Sequence, residues 1–137
     1  MKTLVWVLQV LLAIVFLAHG WLLLTPPAAI AEQLNAALPR WFQLFLGVAE
    51  VLAAVGLTLP PATGILPGLA VWASVGSMIV MVAATLFHLS RGEISSAATT
   101  IVLFGIATFV AYVRYRLMPT PPRRASVRHV LKNAHGL

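Results

Sequence analysis

Four long apolar stretches dominate this chain, from about Thr3 to Leu24, Trp41 to Leu59, Ile65 to Leu89 and Ser96 to Leu117. Each holds roughly 19–25 residues, and at ~1.5 Å per residue a helix of that length crosses a hydrocarbon layer of ~30 Å. Backbone surrounded by lipid must satisfy its own hydrogen bonds, and runs this long do so as α-helices. Composition closes off the alternative. Of the 137 residues 61% are hydrophobic and 9% are charged, against roughly 25% charged in soluble domains. Three carboxylates and nine Lys/Arg cannot cover a water-soluble core. A soluble nucleic-acid binder is excluded on the same ground, despite a net charge of +6. The expected fold class is all-α, an integral-membrane four-helix bundle over residues 1–118 followed by a basic tail, 119–137.

Proline and glycine fall where such helices should stop: Pro26 and Pro27, then Pro60, Pro61 and Gly64, then Pro119, Pro121 and Pro122. Pro67 falls in the first turn of the third span, where a missing N–H is harmless. Between the first two spans, Ile30, Leu34 and Leu38 recur at near-helical spacing among alanines, which predicts a short helix on the membrane surface. The first apolar run, ending in Ala18-His19-Gly20, loosely resembles a secretory leader. It continues through Trp21-Leu22-Leu23-Leu24, so the first span is expected to stay in place.

Basic residues set the orientation. With four spans both termini share a side, and that side carries Lys2, Arg114, Arg116, Arg123, Arg124, Arg128 and Lys132. The other carries Arg40 and Arg91, each with an acid nearby in sequence, Glu32 and Glu93. Lys and Arg accumulate in the cytoplasm, which places both termini there and makes this a multi-pass protein of the cell (inner) membrane. Trp6, Trp72, Tyr112 and Tyr115 then fall toward the inner interface, and Trp21 and Trp41 toward the outer.

Ionisable side chains in hydrocarbon are expensive and mark functional candidates. Apart from Arg114 and Arg116 at the terminal-side end of the fourth, the spans hold three: His19, Glu50 and His88. Counted from the span ends, all three fall in the outer half, on three different helices. In the second span Gln43, Gly47, Glu50, Ala54 and Thr58 form a stripe of small and polar residues. Ala70, Ser74, Ser77, Met81, Ala84 and His88 form one in the third, and the fourth offers Ala98, Gly105, Thr108 and Tyr112. Helices in lipid pack through small residues, so these stripes are expected to face inward. Glu50, His19, His88 and Gln43 would then line one ligand or proton pocket. An acid with two imidazoles can hold or pass a proton.

Other chemistry finds less support. With no cysteine there is no disulfide, thiolate metal site, iron–sulfur cluster or dithiol relay. Two histidines suit a b-type haem, and His/His/Glu suits zinc or non-haem iron, but no spacing motif backs either, so haem and metal are not expected. No nucleophile elbow, phosphate-binding glycine loop or H-E-x-x-H is present, and no catalytic motif is identified. The basic tail is expected to meet anionic lipid. Arg123-Arg124-Ala125-Ser126 within it also matches a basophilic phosphorylation site, a short pattern that arises by chance.

Leu46-Gly47-Val48-Ala49-Glu50 in the second span, Pro60-Pro61-Ala62-Thr63-Gly64 at the hairpin and Met81 to His88 closing the third resemble the DoxX/DoxX-like family. The resemblance covers about residues 3–117; its most specific elements are G-x-x-E at Gly47–Glu50 and M-x-x-A…H at Met81–His88. Members often carry a glycine then a lysine near the end of the first span. Gly20 fits, whereas Leu23 stands at the lysine position. The resemblance implies a four-helix membrane bundle. It ties function loosely to a subunit of a thiosulfate:quinone oxidoreductase, or to accessory and assembly factors for membrane proteins.

Two readings of different class follow. In the first, an accessory subunit of a membrane redox system works beside a partner membrane protein or a second copy. Its Glu/His pocket binds a quinone-like head group or passes a proton. In the second, the bundle is an assembly or scaffolding factor, and the polar trio only locks its helices. A proton-coupled carrier ranks third, since four spans without a repeat or a broken helix do not suit it.

Overall fold

The computed structural model describes residues 2–66 and 68–117. Pro67 and the basic tail, with its serine motif, lie outside the described residues. Among the described residues five α-helices follow in order: α1 (Lys2–Leu24), α2 (Ala28–Ala37), α3 (Arg40–Thr63), α4 (Leu69–Ser90) and α5 (Ile94–Tyr112), the last continued by a π-helical turn, Val113–Leu117. Among the described residues there is no strand. Four helices, α1, α3, α4 and α5, are long and apolar enough to cross a membrane. The fold is an all-α membrane bundle.

Neighbouring spans run antiparallel, as short connections require. Gly20 meets Gly47 between α1 and α3, Gly56 meets Ala73 between α3 and α4, and Thr85 bonds Thr100 between α4 and α5 at 2.7 Å. Arg114, in the π-helical turn after α5, returns to Gln9 of α1 at 2.9 Å, which closes the ring of helices. Leu12, Phe16, Leu57, Met81 and Ala107, drawn from all four spans, share the buried core.

α3 does not stop at Leu59. It runs through Pro60 and Pro61 to Thr63. Proline inside a helix deletes the N–H that would reach the carbonyl four residues back, here those of Gly56 and Leu57. The loss falls in the last turn, and Leu57 recovers a donor from another helix: the fully buried Gln9 gives its Nε2–H to the Leu57 carbonyl. Gly64 then ends α3 in the left-handed region (φ 69°), its N–H bonding the Pro60 carbonyl at 3.0 Å.

The inward stripes of α3 and α4 are largely as the spacing predicts: Gln43, Gly47, Glu50, Ala54 and Leu57 are buried on α3, and Ala70, Ser74, Ser77 and Met81 on α4. On α5 the structure corrects the expected face. Ala97, Thr100, Ala107 and Val110 are buried, whereas Ala98, Gly105, Thr108 and Tyr112 are exposed. Small residues occupy both faces of this helix, so size alone does not choose. Thr108 can point outward because its hydroxyl donates to the Phe104 carbonyl at 2.8 Å, leaving no unpaired polar group.

α2 buries none of its residues. Gln43 tethers it: Nε2 lies 2.8 Å from the Leu38 carbonyl, 3.0 Å from Asn35 Oδ1 and 3.2 Å from the Leu34 carbonyl.

Candidate functional site

The crossing of α1 and α3 brings an acid and an imidazole together. A Cβ built on Gly20 would lie 2.9 Å from the Gly47 carbonyl oxygen and 3.1 Å from Glu50 Cβ. One built on Gly47 would lie 2.8 Å from Leu24 Cγ and 2.9 Å from the Gly20 oxygen. Only glycine at both positions allows this approach, the small-residue contact by which helices pack in lipid. His19 precedes one glycine and Glu50 follows the other by nearly one turn, so both side chains reach across the same crossing.

Their contact is short. His19 Nδ1 and Glu50 Oε2 are 2.7 Å apart, a charge-assisted distance. The two environments differ: the imidazole is 55% exposed and the carboxyl 5%. The pair therefore holds one proton between a buried oxygen and a ring that faces outward from the bundle.

Glu50 also lines a cavity of about 610 Å³ between α3 and α4. Phe16, Ala53, Gly56, Trp72 and Ser77 contribute to its wall. Glu50, Ser77 and Trp72 are the residues with polar side-chain groups in an otherwise apolar lining. Ser77 already donates to the Ala73 carbonyl at 2.8 Å.

Of the four sequence-derived site residues, the structure joins two. His88 bonds Glu93 instead, Nδ1 to Oε2 at 2.6 Å, at the turn between α4 and α5. Arg91 Nε donates to the other Glu93 oxygen at 2.8 Å. Arg91, and then His88, hold the Glu93 carboxyl below its ordinary value. Gln43 serves the α2 tether and accepts from Arg40 Nη1 at 3.1 Å. No hydrogen bond among the described residues links His88 or Gln43 to the His19–Glu50 pair. Nor do three His, Cys, Asp or Glu side chains gather into a metal-holding group among those residues.

Three polar residues matter more than sequence reading suggested. Arg40 caps α1, donating from Nη1 to the Leu23 carbonyl at 2.9 Å and from Nη2 to the Leu24 carbonyl at 2.6 Å. Leu23, where the resemblance would place a lysine, is itself buried, so the cation at that corner comes from Arg40. Gln9 and Arg114 form the tie between α1 and the π-helical turn, described above. The available signal was the Pro60-Pro61 pair, because a proline within a helix announces a carbonyl that needs another donor.

The model of the DoxX-like family matches residues 7–110. The chain belongs to the DoxX-like family. No curated protein and no solved structure matches it. The DoxX-like match reaches from α1 to Val110 of α5 and includes Gly20, Gly47, Glu50 and His88. The glycine crossing and the carboxyl it positions therefore belong to the DoxX-like part of the chain.

Proposed function

We propose that this DoxX-like membrane protein is an accessory subunit of a quinone-linked redox system in the cell (inner) membrane, with both termini cytoplasmic. In this reading the His19–Glu50 pair holds or passes a proton beside the α3–α4 cleft, which takes the head group of a quinone-type lipid. A partner membrane protein, or a second copy of the chain, supplies the redox chemistry. Anionic lipid meets the basic tail.

One observation carries the proposal: the buried Glu50 carboxyl is bonded to His19 at 2.7 Å and also borders a cleft of about 610 Å³. Acids within membrane spans default to functional sites because burying them is expensive. A cleft between spans with apolar walls and a few polar groups suits a lipid-soluble ring. Orientation rests on the basic residues, which cluster at the end carrying the termini.

The close Gly20–Gly47 crossing favours a second reading, in which the pair bolts α1 to α3 and the protein is an assembly or scaffolding factor. Glu50→Gln separates the two, because the amide keeps the size and hydrogen-bonding reach of the acid but not its proton chemistry. The measurements are quinone retained through purification and partner-dependent electron transfer. The redox reading expects both to fall. Unchanged values in a protein that still inserts would leave the bolt.

A further inference from the structure

We infer that Arg114 is a built receptor for the phosphate of an anionic glycerophospholipid, at the end of the bundle where α1 begins and α5 ends. This site is separate from the His19–Glu50 pair and does not depend on the redox reading.

The site begins at Pro61. Its missing N–H leaves the Leu57 carbonyl to Gln9 Nε2, which fixes the amide orientation and turns Gln9 Oε1 toward the π-helical turn. Arg114 Nε donates to that oxygen at 2.9 Å. The guanidinium carbon lies 4.7 Å from the Trp6 ring centroid, a stacking arrangement for a planar cation. The group is thus held on two sides, by a fully buried amide and by an indole.

Its remaining edge is unpaired. Among the described residues Nη1 and Nη2 donate to nothing, and Nη2 is a buried nitrogen without a partner. A planar fork with two vacant N–H nitrogens matches phosphate geometry. Local charge agrees. Arg116 stands beside Arg114, and the chain's three acids are Glu32, Glu50 and Glu93: Glu32 is on α2, Glu93 in the α4–α5 turn, and Glu50 is bonded at the α1–α3 crossing near α2. Among the described residues no carboxylate pairs with this guanidinium. Exposed Tyr112 and Tyr115, with Trp6, mark the level as a membrane boundary, where lipid phosphates lie. π-Helical turns recur at functional sites, and this one carries the arginine.

The test uses the full chain in phosphatidylcholine nanodiscs doped with phosphatidylglycerol, with retained lipid counted by native mass spectrometry. Wild type should keep phosphatidylglycerol in preference to phosphatidylcholine. Arg114→Gln should lower that retention about tenfold. Gln9→Leu, which leaves the charge and removes the fastening, should lower it as well, and Arg116→Gln should change it little. If Arg114→Gln is not recovered folded, Arg114→Lys replaces it: the charge stays, the fork is lost, and retention should still fall. Four results would each overturn the site: no headgroup preference in wild type, full retention in the Arg114 variant, an equal loss in Arg116→Gln, or displacement of the lipid by an equal concentration of inorganic phosphate.

Discussion

Gly20 and Gly47 face each other across α1 and α3 so closely that a Cβ on either would sit 2.9 Å from the other's carbonyl oxygen. Backbone atoms cannot yield as a flexible side chain can. Gly47→Ala, whose Cβ also meets Leu24 Cγ at 2.8 Å, should force the helices apart and cost about 1–3 kcal/mol. The His19–Glu50 bond should be lost with it. Gly105→Ala, where nothing lies within 4 Å, should be neutral or slightly stabilising. Thermal unfolding in detergent distinguishes the two, and equal midpoints would show that the crossing is not tight.

Pro61 and Gln9 should be energetically coupled although they lie on different helices. Gln9→Leu strands the Leu57 carbonyl and should cost about 1–3 kcal/mol, the usual penalty for a buried unpaired group. Pro61→Ala returns an N–H to that carbonyl from within α3. In the double variant the Gln9→Leu penalty should therefore shrink. A double-mutant cycle on unfolding free energies measures this directly, and simple additivity would refute it.

The His19–Glu50 pair should respond unequally to losing either partner. His19→Ala leaves a carboxyl that is 5% exposed without its partner, which should cost about 1–3 kcal/mol. Glu50→Leu leaves an imidazole that is 55% exposed and fills the buried position with an apolar group, a change that is often close to neutral. Midpoints from heat denaturation should therefore rank Glu50→Leu above His19→Ala. The reverse order would place the burden on the ring.

Glu93 gives the turn between α4 and α5 a dependence on acid. Arg91, then His88, hold its carboxyl below the ordinary 4.5. A depressed folded value favours the ionised, folded form. That stabilisation is complete above 4.5 and drains away as the pH falls through the lowered value. Unfolding midpoints of wild type and Glu93→Gln should differ by a constant amount near neutrality and converge in acid. A gap that persists unchanged in strong acid would assign the effect to packing.

Much of the architecture was legible because lipid imposes simple rules. Span length follows bilayer thickness, and the small and polar stripe from Gln43 to Ala54 could only face inward. The depth of Glu50 and His19 could be counted along their helices, yet their contact depended on the Gly20–Gly47 crossing, a property of two helices at once. His88 was placed at the right end of α4, but its partner comes from a three-residue turn, Arg91–Glu93, whose conformation periodicity does not encode. The face of α5 is not legible from sequence because alanine, glycine and threonine occur all around it. Gln9 went unnoticed because it carries no charge, although in hydrocarbon an unpaired amide is nearly as conspicuous as an ion.

α1 touches α3 at two fixed marks, Gln9 on Leu57 and Gly20 on Gly47, and the intervals between them nearly match. Eleven steps along one helix and ten along the other correspond to ~15–17 Å. This stretch behaves as a ruler. Inserting or deleting one residue between the marks would swing one of them about 100° around the axis while the other stayed seated. Within this segment, drift by substitution is open to descendants of the chain, but changes of length are closed to them.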